Sequence, residues 1–144
     1  MNYLLDTNVV SELIAKQPYQ PVLDWVDAQD PNSLFLSVVT IGELQKGVAK
    51  LPDSQRRNLL QSWLTNDLLT RFQGHILTFD TEASLVWGNL TGRLTQVGRP
   101  LTALDSLIAA IALHYRCAVV TRNEEDFADT GVAIVNPWTM NKTL

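Results

Sequence analysis

The sequence predicts an α/β protein, a three-layer α/β/α sandwich with a mainly parallel central sheet. Short apolar runs of strand length, such as Tyr3-Leu4-Leu5, alternate with longer stretches whose apolar residues recur at helical spacing. Strands separated by helices need crossover connections, which are right-handed and leave the strands parallel in a sheet covered on both faces. The 144 residues contain no internal repeat, low-complexity tract or Pro/Gly/Ser-rich linker, so one domain over 1–144 is expected.

The elements follow in order. Asn2 to Leu5 reads as a buried strand, and Asn8 to Ala15 as a helix stopped near Pro18. Pro21 suits the first turn of a second helix carrying Val22, Leu23, Trp25 and Val26. Asp30-Pro31-Asn32-Ser33 is turn chemistry, and Leu34 to Ser37 is the next strand. A helix is expected from about Ile41 to Lys50, broken at Pro52, and another over Asp53 to Phe72. Gly74 ends that helix and His75 to Phe79 is a short strand. Helices over Thr81–Val97 and Leu104–Tyr115 come next, with strands at Ala118–Thr121 and Val132–Val135 last.

Composition narrows the chemistry. With 46% hydrophobic and 18% charged residues the chain has the balance of a globular protein and not of a disordered one. Cys117 is the only cysteine, which excludes an intramolecular disulfide and a cysteine-based metal site; two histidines, His75 and His114, leave little for zinc. A bound metal would therefore need carboxylate ligands. The net charge of −4 provides no whole-protein attraction for nucleic acid, although a local basic patch is compatible with it. No signal-peptide pattern and no bilayer-length apolar run is present, so a cytoplasmic protein without membrane contact is expected.

The acids carry the functional signal. Asp6 ends the first strand, Glu43 lies in the first turn of the helix after the second, and Asp105 opens the most apolar helix. Asn123 and Asp126 follow the Ala118–Thr121 strand. Ligands of open α/β sheets bind outside the carboxyl ends of the strands, where these residues could converge. A helix-capping role is the competing reading: Thr40-x-x-Glu43, Thr102-x-x-Asp105 and Thr121-x-x-Glu124 match capping boxes, and Asp6 suits an N-cap. Yet Asp6 and Asp105 adjoin segments that must be buried. Carboxylates gathered against a core need a cation, or their pKa values rise. An all-oxygen ligand set favours Mg²⁺ or Mn²⁺, and with it nuclease or phosphatase chemistry.

Leu5-Asp6-Thr7-Asn8, Thr40-x-Gly42-Glu43-Leu44, Asp105-Ser106-Leu107-Ile108-Ala109-Ala110, Thr121-Arg122-Asn123-x-x-Asp126-Phe127 and the closing Thr130-Gly131-Val132-x-x-Val135-Asn136-Pro137-Trp138 together resemble PIN-domain proteins, specifically the VapC-type toxins including their FitB-like branch. The resemblance runs from Met1 to Trp138. It implies a PIN-like fold and a Mg²⁺- or Mn²⁺-dependent endoribonuclease that cuts RNA. It also implies a homodimer, held inactive by a VapB-like antitoxin through which alone operator DNA is reached. By position, Asp6, Glu43 and Asp105 correspond to the metal-binding acids. Many PIN domains carry an acid directly after the Thr-Arg pair, where this chain has Asn123. Asp126 either contributes in its place or only fixes the Asn123 loop, and one ion is preferred over two. Thr7, Asn8, Thr121 and Asn123 are candidates for positioning water or phosphate.

Basic residues are few, and Lys46, Lys50, Arg99 and Arg122 are the ones placed to rim a cleft. Glu12 and Glu124 read as solvated helix charges, and the four tryptophans as core or dimer packing. An aspartyl phosphatase of the haloacid-dehalogenase type is a weaker alternative, because it needs a second Asp where Asn8 stands. A PIN-fold binding module with weak or lost catalysis is the other.

Overall fold

The computed structural model describes residues 1–140, so the last four residues of the expected domain lie outside the described residues. The elements are β1 (Asn2–Leu5), α1 (Thr7–Glu12), α2 (Gln20–Ala28), β2 (Leu34–Ser37), α3 (Val38–Ala49), α4 (Gln55–Ser62), α5 (Leu69–Arg71), β3 (Ile76–Leu77), α6 (Thr81–Gln96), α7 (Ala103–Tyr115), β4 (Cys117–Val120) and β5 (Ile134–Val135). All strand pairs are parallel, in the order β3-β2-β1-β4-β5. This is the expected α/β sandwich.

Neighbouring residues of one strand face opposite sides of the sheet, and this splits the core in two. Leu5 and Val120 join Val9, Val10, Leu64 and Phe72 on one face. Leu4 and Val119 join Leu94, Ile108, Ile111 and Phe127 on the other. Each fully buried Leu or Ile contributes about 2 kcal/mol. The central strands β1 and β4 are apolar on both faces, so polar residues have a place only at their ends. That is where the chain puts Asp6 and Thr121.

Three helices depart from expectation for local reasons. The α3 helix begins three residues early because the Ser37 hydroxyl, not Thr40, caps it by accepting from the Thr40 N–H at 3.1 Å. Thr40 then falls inside the first turn and is buried. The α1 helix stops at Glu12, although residues to Ala15 were expected to continue it. The single helix expected over Asp53–Phe72 is interrupted by a π-helical segment, Trp63–Leu68, between α4 and α5. There the Thr65 hydroxyl donates to the Gln61 carbonyl at 2.7 Å, a side-chain intrusion that competes with the α ladder. The edge strands β3 and β5 are two residues each, which leaves little open edge for further pairing. No helix among the described residues is long and apolar enough to cross a membrane.

Candidate active site

The carboxyl ends of β1, β2 and β4 open onto one polar cluster. Asp6 leaves β1 with its N–H donating to the Val120 carbonyl at 2.9 Å, so it is held in register with the sheet. The residue is 6% exposed and its side chain caps α1, with Oδ1 accepting from the Thr7 N–H at 2.8 Å. The other oxygen, Oδ2, accepts from the Thr121 hydroxyl at 2.8 Å and from the Asn8 amide at 3.3 Å. Capping and site membership are therefore not alternatives at Asp6; one oxygen serves each.

Thr121 is fully buried and serves several partners at once. Besides donating to Asp6, its oxygen accepts from the Asn123 N–H at 3.0 Å and from the Asn8 amide at 3.3 Å. Asn8 Oδ1 in turn accepts from the Arg122 N–H at 3.2 Å. The expected Thr121-x-x-Glu124 capping box is absent, because this hydroxyl is directed to the Asp6 carboxylate.

Each of the three expected acids has a threonine partner. The Thr7 hydroxyl donates to Glu43 Oε1 at 2.7 Å and lies 3.1 Å from the Thr40 hydroxyl. The Thr102 hydroxyl donates to Asp105 Oδ2 at 2.9 Å and accepts from the Asp105 N–H at 3.3 Å, so Thr102 caps the helix and holds the Asp105 carboxylate through the same hydroxyl. Thr7 thus ties α1 to α3 through the site.

The acids act on one another electrostatically. Burial pushes the Asp6 carboxyl above its ordinary range; the bonds from Thr121 and Thr7 oppose this, and the Asp105 and Glu43 charges add to it. Asp105 is raised mainly by burial, opposed by Thr102, with Asp126 and Glu43 adding to it. Asp126, in the short helical turn Glu124–Phe127, is thereby placed within electrostatic reach of Asp105. Its N–H donates to the Asn123 carbonyl at 3.1 Å, so it also shapes the Asn123 loop.

Among the described residues, no cation is paired with these charges. The ion pairs among the described residues are Arg99–Asp129 and the contacts of His114 with Asp80 and Glu82, all elsewhere. Among the described residues, no three His, Cys, Asp or Glu side chains stand close enough to hold a metal ion as they are. The donors present are hard oxygens, the type that suits Mg²⁺ or Mn²⁺.

Two residues read from sequence as solvated charges have structural partners. Glu12 Oε2 accepts from the Tyr19 N–H at 2.9 Å, and Glu124 Oε2 accepts from the Asn136 amide at 3.0 Å. Asn136, which sequence reasoning left without a role, also donates to the Arg122 carbonyl at 3.4 Å. It is buried, and a buried amide in Asn-Pro-Trp after the last strand was the signal available for it.

The chain belongs to the PIN domain family, whose model matches residues 3–133. It is 38% identical to VapC ribonuclease Y4jK of Sinorhizobium fredii over 94% of this chain and 96% of that protein. It is 36% identical to Toxin FitB of Neisseria gonorrhoeae, over 94% of this chain and 97% of that protein. Among solved structures, FitAB bound to an IR36 DNA fragment matches with a TM-score of 0.92 and 32% identity, over 99% of both chains.

Proposed function

We propose that this protein is an endoribonuclease that requires Mg²⁺ or Mn²⁺ and acts as the toxin of a type II toxin–antitoxin pair. The observation that carries the reading is the cluster itself. Asp6, Glu43, Asp105 and Asp126 share one electrostatic field at the ends of parallel strands, with no cation among the described residues to offset it. Asp6, Glu43 and Asp105 would hold the ion, with Asp126 and Asn123 at the rim. A divalent ion supplies a more acidic water and offsets charge on a phosphoryl oxygen.

The chain's own residues do the positioning. Asp6 accepts from the Thr7 N–H, the Thr121 hydroxyl and the Asn8 amide, and Glu43 accepts from the Thr7 hydroxyl, so a ligand would take the lone pairs these bonds leave on each carboxylate. Asn8, with its amide on Asp6 and its carbonyl on the Arg122 N–H, locks the β4 exit loop against β1. Similarity to a protein named a VapC ribonuclease and to one named a toxin supports RNA as substrate and a toxin role. Similarity to FitAB on DNA supports a VapB-like antitoxin as partner, with operator DNA reached through it. A homodimer in the cytoplasm completes the proposal.

The test is to incubate the protein with RNA, and separately with a phosphomonoester, in Mg²⁺, Mn²⁺ or chelator. RNA cleavage that needs the metal and disappears in Asp105→Asn is expected. Phosphomonoester turnover without RNA cleavage would overturn the proposal.

A further inference from the structure

A second concavity shares Arg122 with the Asn123–Asp126 recess and is lined by none of Asp6, Glu43 and Asp105. It has a volume of about 490 Å³, within the range of small-ligand sites, and is lined by Glu12, Tyr19, Arg122, Asn136 and Trp138 among others. Arg122 is the link between the two. Its N–H is bound by Asn8, which contacts the Asp6 carboxylate, and its carbonyl is held by Asn136. The Arg122 guanidinium lies over the Trp138 ring at 5.6 Å and makes no ion pair among the described residues. On its other side Arg122 lines a polar recess with Asn123 and Asp126. Arg122 therefore borders both the Asn123–Asp126 recess and the larger cavity.

The cavity has what a nucleobase needs. Tyr19 is 41% exposed and lines the cavity, and an aromatic ring at a cavity wall can serve as a stacking surface. Glu12 commits Oε2 to the Tyr19 N–H, leaving Oε1 as an acceptor for an exocyclic amine. The guanidinium is flat and charged, so it can stack on a base or bind a phosphate.

We propose that this cavity is a nucleobase subsite for single-stranded RNA next to the cleavage position, with Tyr19 stacking the base and Arg122 binding the adjoining phosphate. Glu12 selects bases that carry an exocyclic amine. The inference rests on the ribonuclease reading for its biological purpose, but binding is measurable without cleavage.

The experiment uses the full chain with Asp105→Asn, so that nothing is cut. Short unstructured RNAs of adenosine, cytidine or uridine are titrated while the Tyr19 and Trp138 resonances are followed by NMR. Adenosine and cytidine RNAs are expected to bind more tightly than uridine RNA and to shift both resonances. Adding Tyr19→Ala should weaken binding about tenfold through lost stacking. Adding Arg122→Gln should weaken it similarly and reduce the log–log salt slope by about 0.7, the loss of one phosphate contact on a single strand. Arg122→Lys keeps the charge and should retain the salt slope that Arg122→Gln loses, whereas a purely structural role of the Trp138 contact would leave the slope unchanged in both. Thermal midpoints of all variants separate misfolding from lost contact. Unchanged affinity in both Tyr19→Ala and Arg122→Gln, or equal binding of all three RNAs, would overturn the subsite. The parent protein's activity is assayed separately. A parent that cleaves RNA while its subsite variants bind normally refutes only the subsite; one that binds as expected but cleaves nothing refutes only the nuclease reading.

Discussion

Thr121→Val isolates the single hydroxyl that organises the acid cluster. Valine keeps the shape at a fully buried position, so packing changes little and the hydrogen bonds are what is removed. Three are lost: the donation to Asp6 Oδ2 and the acceptances from the Asn123 N–H and the Asn8 amide. The bond to the carboxylate dominates, since a hydrogen bond to a charged group contributes about 1.5–3 kcal/mol. Asn123 is exposed and water can replace the acceptor of its N–H, so that loss adds little. The net expectation is a loss of about 2 kcal/mol, or a thermal midpoint lower by roughly 6 °C for a chain of this length. The assay is calorimetric or chemical unfolding at neutral pH in chelator, which keeps a bound ion from masking the change. Thr121→Ser retains the hydroxyl and should recover most of the loss. A double-mutant cycle with Asp6→Asn should show coupling of about 1 kcal/mol or more. If Thr121→Val costs less than about 0.5 kcal/mol, or the two changes simply add, the hydroxyl does not hold the carboxylate as argued.

Four further outcomes follow from burial and charge in this fold. The Asp6 carboxyl is raised in the fold, so the protonated form is the one the fold prefers; its stability contribution is full at low pH and lost as pH rises through the raised value. In chelator, Asp6→Asn should therefore flatten the decline in thermal midpoint above the ordinary carboxylate range, and a steeper decline would contradict the shift. Burial pushes the Cys117 thiol from 9.0 to about 11, so mass spectrometry should show native protein resisting iodoacetamide at pH values where unfolded protein is alkylated. That thiol also makes stability fall as pH climbs from 9.0 towards 11, because the unfolded thiol ionises first. Phe127 is fully buried beneath the Asn123–Asp126 turn, and Phe127→Ala should cost about 3–5 kcal/mol by denaturant unfolding; near-native stability would show that the turn is not anchored there.

Sequence pattern was strong wherever one local rule applied. The apolar run ending at Asp6 marked both a central strand and the edge of its burial, because a strand covered on two faces tolerates polarity only at its tip. The Thr102 cap and its bond to Asp105 were legible for a similar reason: both partners lie within one helical turn. The same pattern misled at Thr40 and Thr121. A capping box describes only residues within a few positions, and the competing partners were Ser37 at the end of β2 and Asp6, 115 residues away in sequence. Glu12 and Glu124 looked solvated because their partners, Tyr19 N–H and the Asn136 amide, belong to other elements.

By itself, then, the sequence determined the alternation of strands and helices, the parallel sheet that follows from it, and the place of Asp6 at the tip of the first strand. These depend on periodicity and on residues close along the chain. Only the tertiary structure decided that Asp6, Glu43, Asp105 and Asp126 share one field, that a threonine from a distant segment holds Asp6, and that Arg122 borders both the Asn123–Asp126 recess and a second cavity. Those facts depend on the strand order β3-β2-β1-β4-β5, which brings the ends of β1, β2 and β4 side by side across more than a hundred residues of chain. Asp6 could be read as a cap from its neighbours alone; its place in a site came from Thr121 and Asp105, far along the chain.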